Sequence, residues 1–521
     1  TNVSAQVSEQ WVSRYNSGNI QDFTSTMSMK TDNAGNIYVS GISIGAGSQE
    51  DFVTIKYNNS GAQQWAIRYN SPGNGPDIPS SIAVDNLGNV YVTGKTFNSL
   101  FDYDAATIKY NSDGIQQWAA IYSGDSNSSD YANSIAVNNS GDVFITGTSK
   151  LSNQTGVRSD FLTVKYNSSG ILQWTSKYHG AANEENEGFC IALDNLGNIY
   201  AAGECSEFSG LQDYCVIKYN SSGSQIWKAN YNSSNIHRDI ISGMVLDTSG
   251  NVYVTGSAYT SGSGLDYETI KYSSSGQRLW VVKYSGSNSD DWANSISIDN
   301  SGNIYVTGQS IANGLFGCAT IKYNTAGVQQ WVARYQLTQS YSASASEVKL
   351  DNSGNVYIVG QTSQSPETGY YDFLTVKYNH AGVQQWIKTY NGTGNYYDEG
   401  LCISLDNNEN IIVAGYSDGT VSLHNKDITT IKYIQQVGIT PISFNVPDNF
   451  SLFQNYPNPF NPTTKIKFDL PKNSFVKIIV FDITGRMISE LVNTNLQEGS
   501  YETEFNGENL SSGIYYYTIE A

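Results

Sequence analysis

One four-part phrase returns eight times along the chain, so any fold must give eight near-copies equivalent surroundings. A representative copy reads SIAVDNLGNVYVTG (81–94), a loop, then DAATIKYNSDGIQQWAAIY (104–122). Its turn phrase, D-x-x-G-N-[IV]-Y, starts at Asp32, Asp85, Asp194, Asp247, Asp299 and Asp351, with variants at Asn138 and Asp406. A TIKY-like phrase ends at Tyr57, Tyr110, Tyr166, Tyr219, Tyr272, Tyr323, Tyr378 and Tyr433. Tryptophan marks the last phrase at Trp11, Trp65, Trp118, Trp174, Trp227, Trp280, Trp331 and Trp386, spaced 51 to 56 residues apart.

Each copy holds four short runs of alternating or β-branched character separated by turn signals, which predicts four strands and no helix. In NVYVTG, Val90 and Val92 face one way and Tyr91 and Thr93 the other. Both faces carry groups that pack, as a sheet sandwiched between two neighbouring sheets requires. Asp-x-x-Gly and Asn-x-x-Gly supply the hairpin turns, with Asp or Asn capping and Gly taking positive φ. DNSGN offers a single carboxylate, too few for a calcium loop of the EF-hand kind, although calcium remains the one cofactor the acidic turns suggest. Tyrosine reaches 38 copies and charged residues only 14%, as in an all-β chain with many tight turns.

A net charge of -19 argues against nucleic acid as a partner. No run of about 18 apolar residues exists to span a bilayer. The polar opening TNVSAQVSEQ has no apolar leader core, so any signal peptide is expected to have been removed. Cys190, Cys205, Cys215, Cys318 and Cys402 are too scattered for a disulfide framework. Cys205 and Cys215 can meet across one hairpin; buried thiols are the other reading.

Period and strand content fit radial repetition of four-stranded sheets, with a superhelical stack as the competing architecture. These residues resemble the SBBP-type β-propeller repeat over about 430 residues, a likeness that implies fold and leaves activity open. Eight TIKY strands and eight Trp strands are present, yet none of the Trp strands follows Tyr433. The Trp11 strand is therefore expected to pair with the Tyr433 strand and close an eight-bladed propeller over residues 1–435.

Two aspartate series run through the repeats. One precedes the TIKY threonine at Asp51, Asp104, Asp160, Asp213, Asp266, Asp372 and Asp427, broken only by Gly317. The other lies eight residues before the turn, at Asp77, Asp130, Asp239, Asp291 and Asp398, with Asn186 in the equivalent place. Strand connectivity puts both on the loop face. Recurrence in nearly every copy marks the first series as structural, each Asp capping a loop or pairing with a repeat lysine such as Lys56 or Lys109. Asp77, Asp130, Asp239, Asp291 and Asp398, with Tyr131 and Trp292, are the candidate binding residues. The loop aromatics Phe101, Tyr103, Tyr370, Tyr371, Tyr396 and Tyr397 either stack on sugars or plug the seams between sheets. His179, His237, His380 and His424 show no metal-ligand spacing, and no catalytic motif emerges.

After a linker at 436–449, the segment 450–521 alternates again in KIKF and KIIVF, predicting a small β-sandwich of immunoglobulin-like kind. Its QNYPNPFNP (454–462), Asp482-x-x-Gly485-Arg486 and SSGIYYY (511–517) closely resemble the type A C-terminal sorting domain of type IX secretion. That likeness implies export across a bacterial outer membrane, the type IX machinery as partner, and an extracellular or surface location. Family members run on into a further strand, so either that end is not included in this sequence or the sandwich lacks its last strand and offers an edge for strand addition in a homo-polymer. The expected function is a non-catalytic scaffold, adhesin or filament subunit; a glycan-binding module or carbohydrate-active hydrolase is the alternative.

Overall fold

A computed structural model describes residues 6–16, 27–45, 49–98, 102–124, 128–151, 158–180, 184–207, 211–233, 237–287, 289–335, 342–363, 370–419, 426–436, 440–443, 446–507 and 510–521. Phe101 and His424 lie outside them. The described residues are all-β, and no described helix is long and apolar enough to cross a membrane. The described residues form two compact units: those within Trp11–Lys432, and those within Tyr433–Ala521 together with the described residues before Trp11.

The repeat phrase becomes a four-stranded antiparallel sheet. In one copy Ile78–Val84, Val90–Phe97, Tyr103–Tyr110 and Gln116–Tyr122 pair in sequence order. Val90, Tyr91, Val92 and Thr93 are all fully buried, so both faces of the second strand are covered as the alternation predicts. The fourth strand is the more exposed one. Gly35, Gly61 and their counterparts take φ near +80°, the left-handed value that closes each hairpin.

Eight such sheets lie between residues 6 and 436 among the described residues. Seven are built from consecutive strands. The remaining one has the order Gln6–Tyr15, Lys426–Gln436, Ile411–Asp418, Asp398–Leu405, so its outer strand comes from the beginning of the chain. Successive first strands touch one another, and Ser28–Thr31 touches both Ile78–Val84 and Asp398–Leu405. At that last seam the Thr31 and Ser404 hydroxyls stand 2.9 Å apart, and Met29 packs with Cys402.

In the C-terminal unit, one sheet has the order Thr440–Ser443, Gly499–Asn506, Thr463–Leu470, Ser451–Leu452. The other sets Ser474–Asp482 between Met487–Leu496 and Tyr515–Glu520. Ile466, Phe468 and Leu470 of the first sheet share a core with Val476, Ile478 and Val480 of the second. Their period of two is the alternation read from KIKF and KIIVF.

Candidate functional site

The turns between first and second strands are self-contained. Asp85 Oδ1 accepts the N–H groups of Leu87 and Asn89, both at 2.9 Å, while Oδ2 accepts Asn89 Nδ2 at 2.7 Å and the Tyr91 hydroxyl at 2.9 Å. Burial opposes ionisation of Asp85, but these bonds, led by Asn89, hold its carboxyl below the ordinary value. The same bonds recur at Asp32, Asp194, Asp247, Asp299 and Asp351. At Asp406 the tyrosine is absent, and Lys432 Nζ takes its place at 2.7 Å.

The third-strand lysines join this turn face. Lys56 Nζ lies over the Tyr38 ring at 5.4 Å and donates to the Ser112 carbonyl of the next sheet at 2.9 Å. The same carbonyl accepts Trp65 Nε1 at 3.1 Å. The expectation that such lysines pair with the third-strand aspartates is therefore corrected. Asp51 and Lys56 sit at opposite ends of one strand, five residues or about 17 Å apart, and face opposite ends of the sheet.

Those aspartates meet local partners instead. Asp51 pairs with Arg68, and Asp160 with His179. Asp104 accepts Asn98 Nδ2 at 3.1 Å and Asp266 accepts Ser263 Oγ at 2.7 Å. Asp427 accepts Asn16 Nδ2 at 2.6 Å and pairs with Arg14 at 3.4 Å. Asp213 and Asp372 are likewise buried.

The candidate binding aspartates are all fully buried and turned onto backbone. Asp77 accepts Ser71 N–H at 2.6 Å and Phe97 N–H at 2.9 Å. Asp130 accepts Gly124 N–H at 2.6 Å, Asp239 accepts Ser233 N–H at 2.7 Å, and Asp398 accepts Gly392 N–H at 2.8 Å. Asp291 accepts Gly286 N–H at 2.7 Å and Ile311 N–H at 2.8 Å. Each carboxylate clasps the loop that enters its own strand. Asn186 serves the same end, accepting Ser206 N–H at 3.0 Å.

The two series interlock at the seams between sheets. Backbone N–H groups of Asp77, Asn186, Asp239 and Asp291 donate to the carbonyls of Glu50, Ser159, Gln212 and Leu265, each one residue before a third-strand aspartate. Asp130 feels Asp104, Asp213 feels Asp239, and Asp291 feels Asp266. Burial first, then like charge, pushes Asp130 up to about 6 and Asp213 up to about 7. At these three seams the aspartates lie in pairs, one from each sheet. Among the described residues no group of three or more His, Cys, Asp or Glu is placed to hold a metal. One seam has lost both members, with Gly317 and Ala343 in the two positions.

Aromatic loop residues fall into three groups. Tyr131 packs against Tyr103 and lies beneath Lys95 at 5.1 Å and Lys150 at 5.4 Å. Tyr370 meets Tyr396 and Tyr397 edge-on, and Tyr371 is tilted on Tyr397. Trp292 lines an open cleft of about 580 Å³ with Tyr259, Phe316, Ser263, Ser289 and Asp290. Tyr259 and Phe316 carry no repeat signal of their own; the one sequence mark near them is the break in the aspartate series at Gly317, next to Phe316.

Trp11 and Tyr433, expected to close the ring of repeats, have defined places. Trp11 Nε1 donates to Asn59 O at 3.1 Å, and Tyr433 is buried. Cys205 and Cys215 form a disulfide with Cα atoms 5.5 Å apart, while Cys190, Cys318 and Cys402 are free thiols.

Residues 454–521 match the family described as secretion system C-terminal sorting domain, and residues 64–102 and 279–316 match the beta-propeller repeat. The chain carries SBBP propeller repeats and an exported protein's sorting domain. The sorting domain marks it for type IX secretion to the cell surface or extracellular space of a bacterium. No curated protein matches the chain. Among solved structures, the chain is similar to the WD40 domain of SCAP from fission yeast, at 9% identity and TM-score 0.44 over 82% of this chain and 98% of that one. A polysaccharide lyase, PL25 ulvan lyase, matches at 12% identity and TM-score 0.42 over 74% and 95%. A fungal alcohol oxidase in complex with copper matches at 11% and 0.42 over 99% and 96%. These likenesses are too distant to bear on activity.

Proposed function

We propose that the chain is a non-catalytic interaction protein of the bacterial surface, acting as scaffold, adhesin or assembly subunit through the loop face of a closed propeller. In this reading residues 1–435 form eight blades, 436–449 a linker and 450–521 an immunoglobulin-like sorting sandwich. The exchange of the outer strand in the sheet that holds Lys426–Gln436 supports closure, because it leaves no repeat without a fourth strand.

The observation that carries the non-catalytic reading is the clasp. Asp77, Asp130, Asp239, Asp291 and Asp398 are spent on loop N–H groups and lie fully buried. A hydrolase would need a carboxyl pair open to substrate. The test is to assay the exported full chain against neutral and acidic polysaccharides, and to measure adhesion of cells with and without it. Expected are no release of reducing ends, adhesion that depends on the chain, and loss of surface display when 450–521 is removed. Polysaccharide cleavage abolished by Asp130→Asn would overturn the reading.

A further inference from the structure

Three aromatic groups of described residues occupy the loop face, and in one of them the aromatic rings of Tyr259, Trp292 and Phe316 stand apart from one another around an open cleft. Tyr103 and Tyr131 are capped by lysines, and the tyrosines around Tyr397 pack on one another. In the cleft at Trp292, no two of Tyr259, Trp292 and Phe316 stack together among the described residues. His237 stacks on Tyr259 at 3.5 Å and fixes its plane. Phe316 is 44% exposed, an unusual cost for a phenylalanine that serves only packing.

We propose that this cleft binds a neutral polysaccharide chain. The assignment rests on the reading that the loop face of an exported, non-catalytic propeller is its working face. A pyranose ring has an apolar C–H face and a rim of hydroxyls. An aromatic ring attracts the first through its electron-rich face, and carboxylate or hydroxyl oxygens take the second. Separate rings suit successive sugar units, whereas an ammonium head asks for rings closed into a cage. The exposed Asp290 ties one oxygen to Leu265 N–H at 2.8 Å, and its other oxygen has no partner among the described residues. Ser263 and Ser289 stand beside it.

Charge narrows the ligand. Among the described residues no lysine or arginine lines the cleft, and the chain carries -19, so sulfated or uronate polymers are repelled. The volume of about 580 Å³ falls in the range that holds small ligands. This corner is also where the repeat departs from its pattern. Phe316 directly precedes Gly317, where the third-strand aspartate series breaks, and the loop before Leu265 runs through Gly262 and Gly264 at φ +92° and +90°.

The test uses the full chain, with tryptophan fluorescence and calorimetric titration of hexasaccharides from cellulose, laminarin, xylan, mannan and amylose. Expected is saturable binding of at least one, weakened about tenfold or more by Trp292→Ala and by Phe316→Ala and unchanged by Tyr131→Ala. Phe316→Ala changes an exposed position, so it keeps the test decisive if Trp292→Ala folds poorly. Failure of every hexasaccharide to bind, or binding indifferent to both variants, overturns the assignment and leaves the exported-scaffold reading in place. Binding of tetramethylammonium but no saccharide, lost in Trp292→Ala, overturns it in favour of a cationic ligand. Cleavage of a bound hexasaccharide would instead overturn the non-catalytic reading while the cleft's ligand stands.

Discussion

Trp11 Nε1 donates to the carbonyl of Asn59 at 3.1 Å, and its indole lies against Gly61 in the same turn. Six other tryptophans, from Trp65 to Trp331, reach the next sheet's Asn-x-x-Gly or Ser-x-x-Gly turn in the same way at 3.0–3.2 Å. Trp386 is the exception: its Nε1 is buried with no partner among the described residues. The turn it would meet does not exist, because the two strands there come from opposite ends of the repeat region. Trp11→Ala should therefore destabilise as much as the internal Trp118→Ala, about 2–4 kcal/mol, and removal of residues 1–16 should lower the melting temperature sharply. Thermal unfolding by circular dichroism checks this, and an unchanged curve for the truncation would favour an open stack. Trp386→Phe should cost about 1 kcal/mol less than Trp118→Phe, since only the second gives up a hydrogen bond.

Gly114 shows why the turn beneath each tryptophan admits no side chain. Its φ is +81°, and a Cβ there would stand 2.9 Å from the Trp65 ring. Gly114→Ala should cost about 2–4 kcal/mol, through backbone strain and displacement of the indole together. Chemical denaturation measures it; a cost near that of an exposed Gly-to-Ala change would mean the indole moves aside freely.

Asp85 ties four donors and titrates below its ordinary value. For such a group the stabilisation is present above the unfolded pKa, near 4, and is lost as pH falls through the lower folded pKa. Asp85→Ala should lose about 2–3 kcal/mol at pH 7 and progressively less below pH 4. Melting scans of variant and parent across that window should converge at the acid end.

The disulfide between Cys205 and Cys215 suits an oxidising destination beyond the cytoplasm. It closes a short loop with a sequence separation of 10, so Cys205→Ser with Cys215→Ser should cost about 2–3 kcal/mol. Added reductant should lower the parent's melting temperature and leave the double variant unmoved.

The repeat was legible because its strands, turns and tryptophans recur at fixed offsets, and the offset of Trp11 against Tyr433 even pointed to the exchanged outer strand. The partners of the aspartates were not legible. Asp130 looks toward Gly124 N–H and Asp213 toward the Asp239 seam, and both depend on how one sheet docks on the next. Periodicity fixes which face a side chain takes within a strand and carries nothing about the neighbouring sheet's rotation. For the same reason Tyr259, Trp292 and Phe316, 57 residues apart at the extremes, meet only through stacking of successive sheets.

Asp213 gives the opposite pH signature to Asp85. Burial, then the charges of Asp239, Glu204 and Glu207, push its carboxyl up to about 7. A raised acid costs the folded state wherever the unfolded chain would ionise it. That penalty is absent below about pH 4, grows as pH rises, and is complete above about pH 7. Asp213→Asn removes the titration while keeping the shape. The variant should match the parent at pH 4 and exceed it by about 1–3 kcal/mol at pH 8, read as a melting-temperature gain of a few degrees. Equal stability of the two proteins at pH 8 would mean that Asp213 ionises without cost in its seam. A loss at pH 8 would mean that its charge is bound there by a partner stronger than the Asn232 amide that now lowers its pKa.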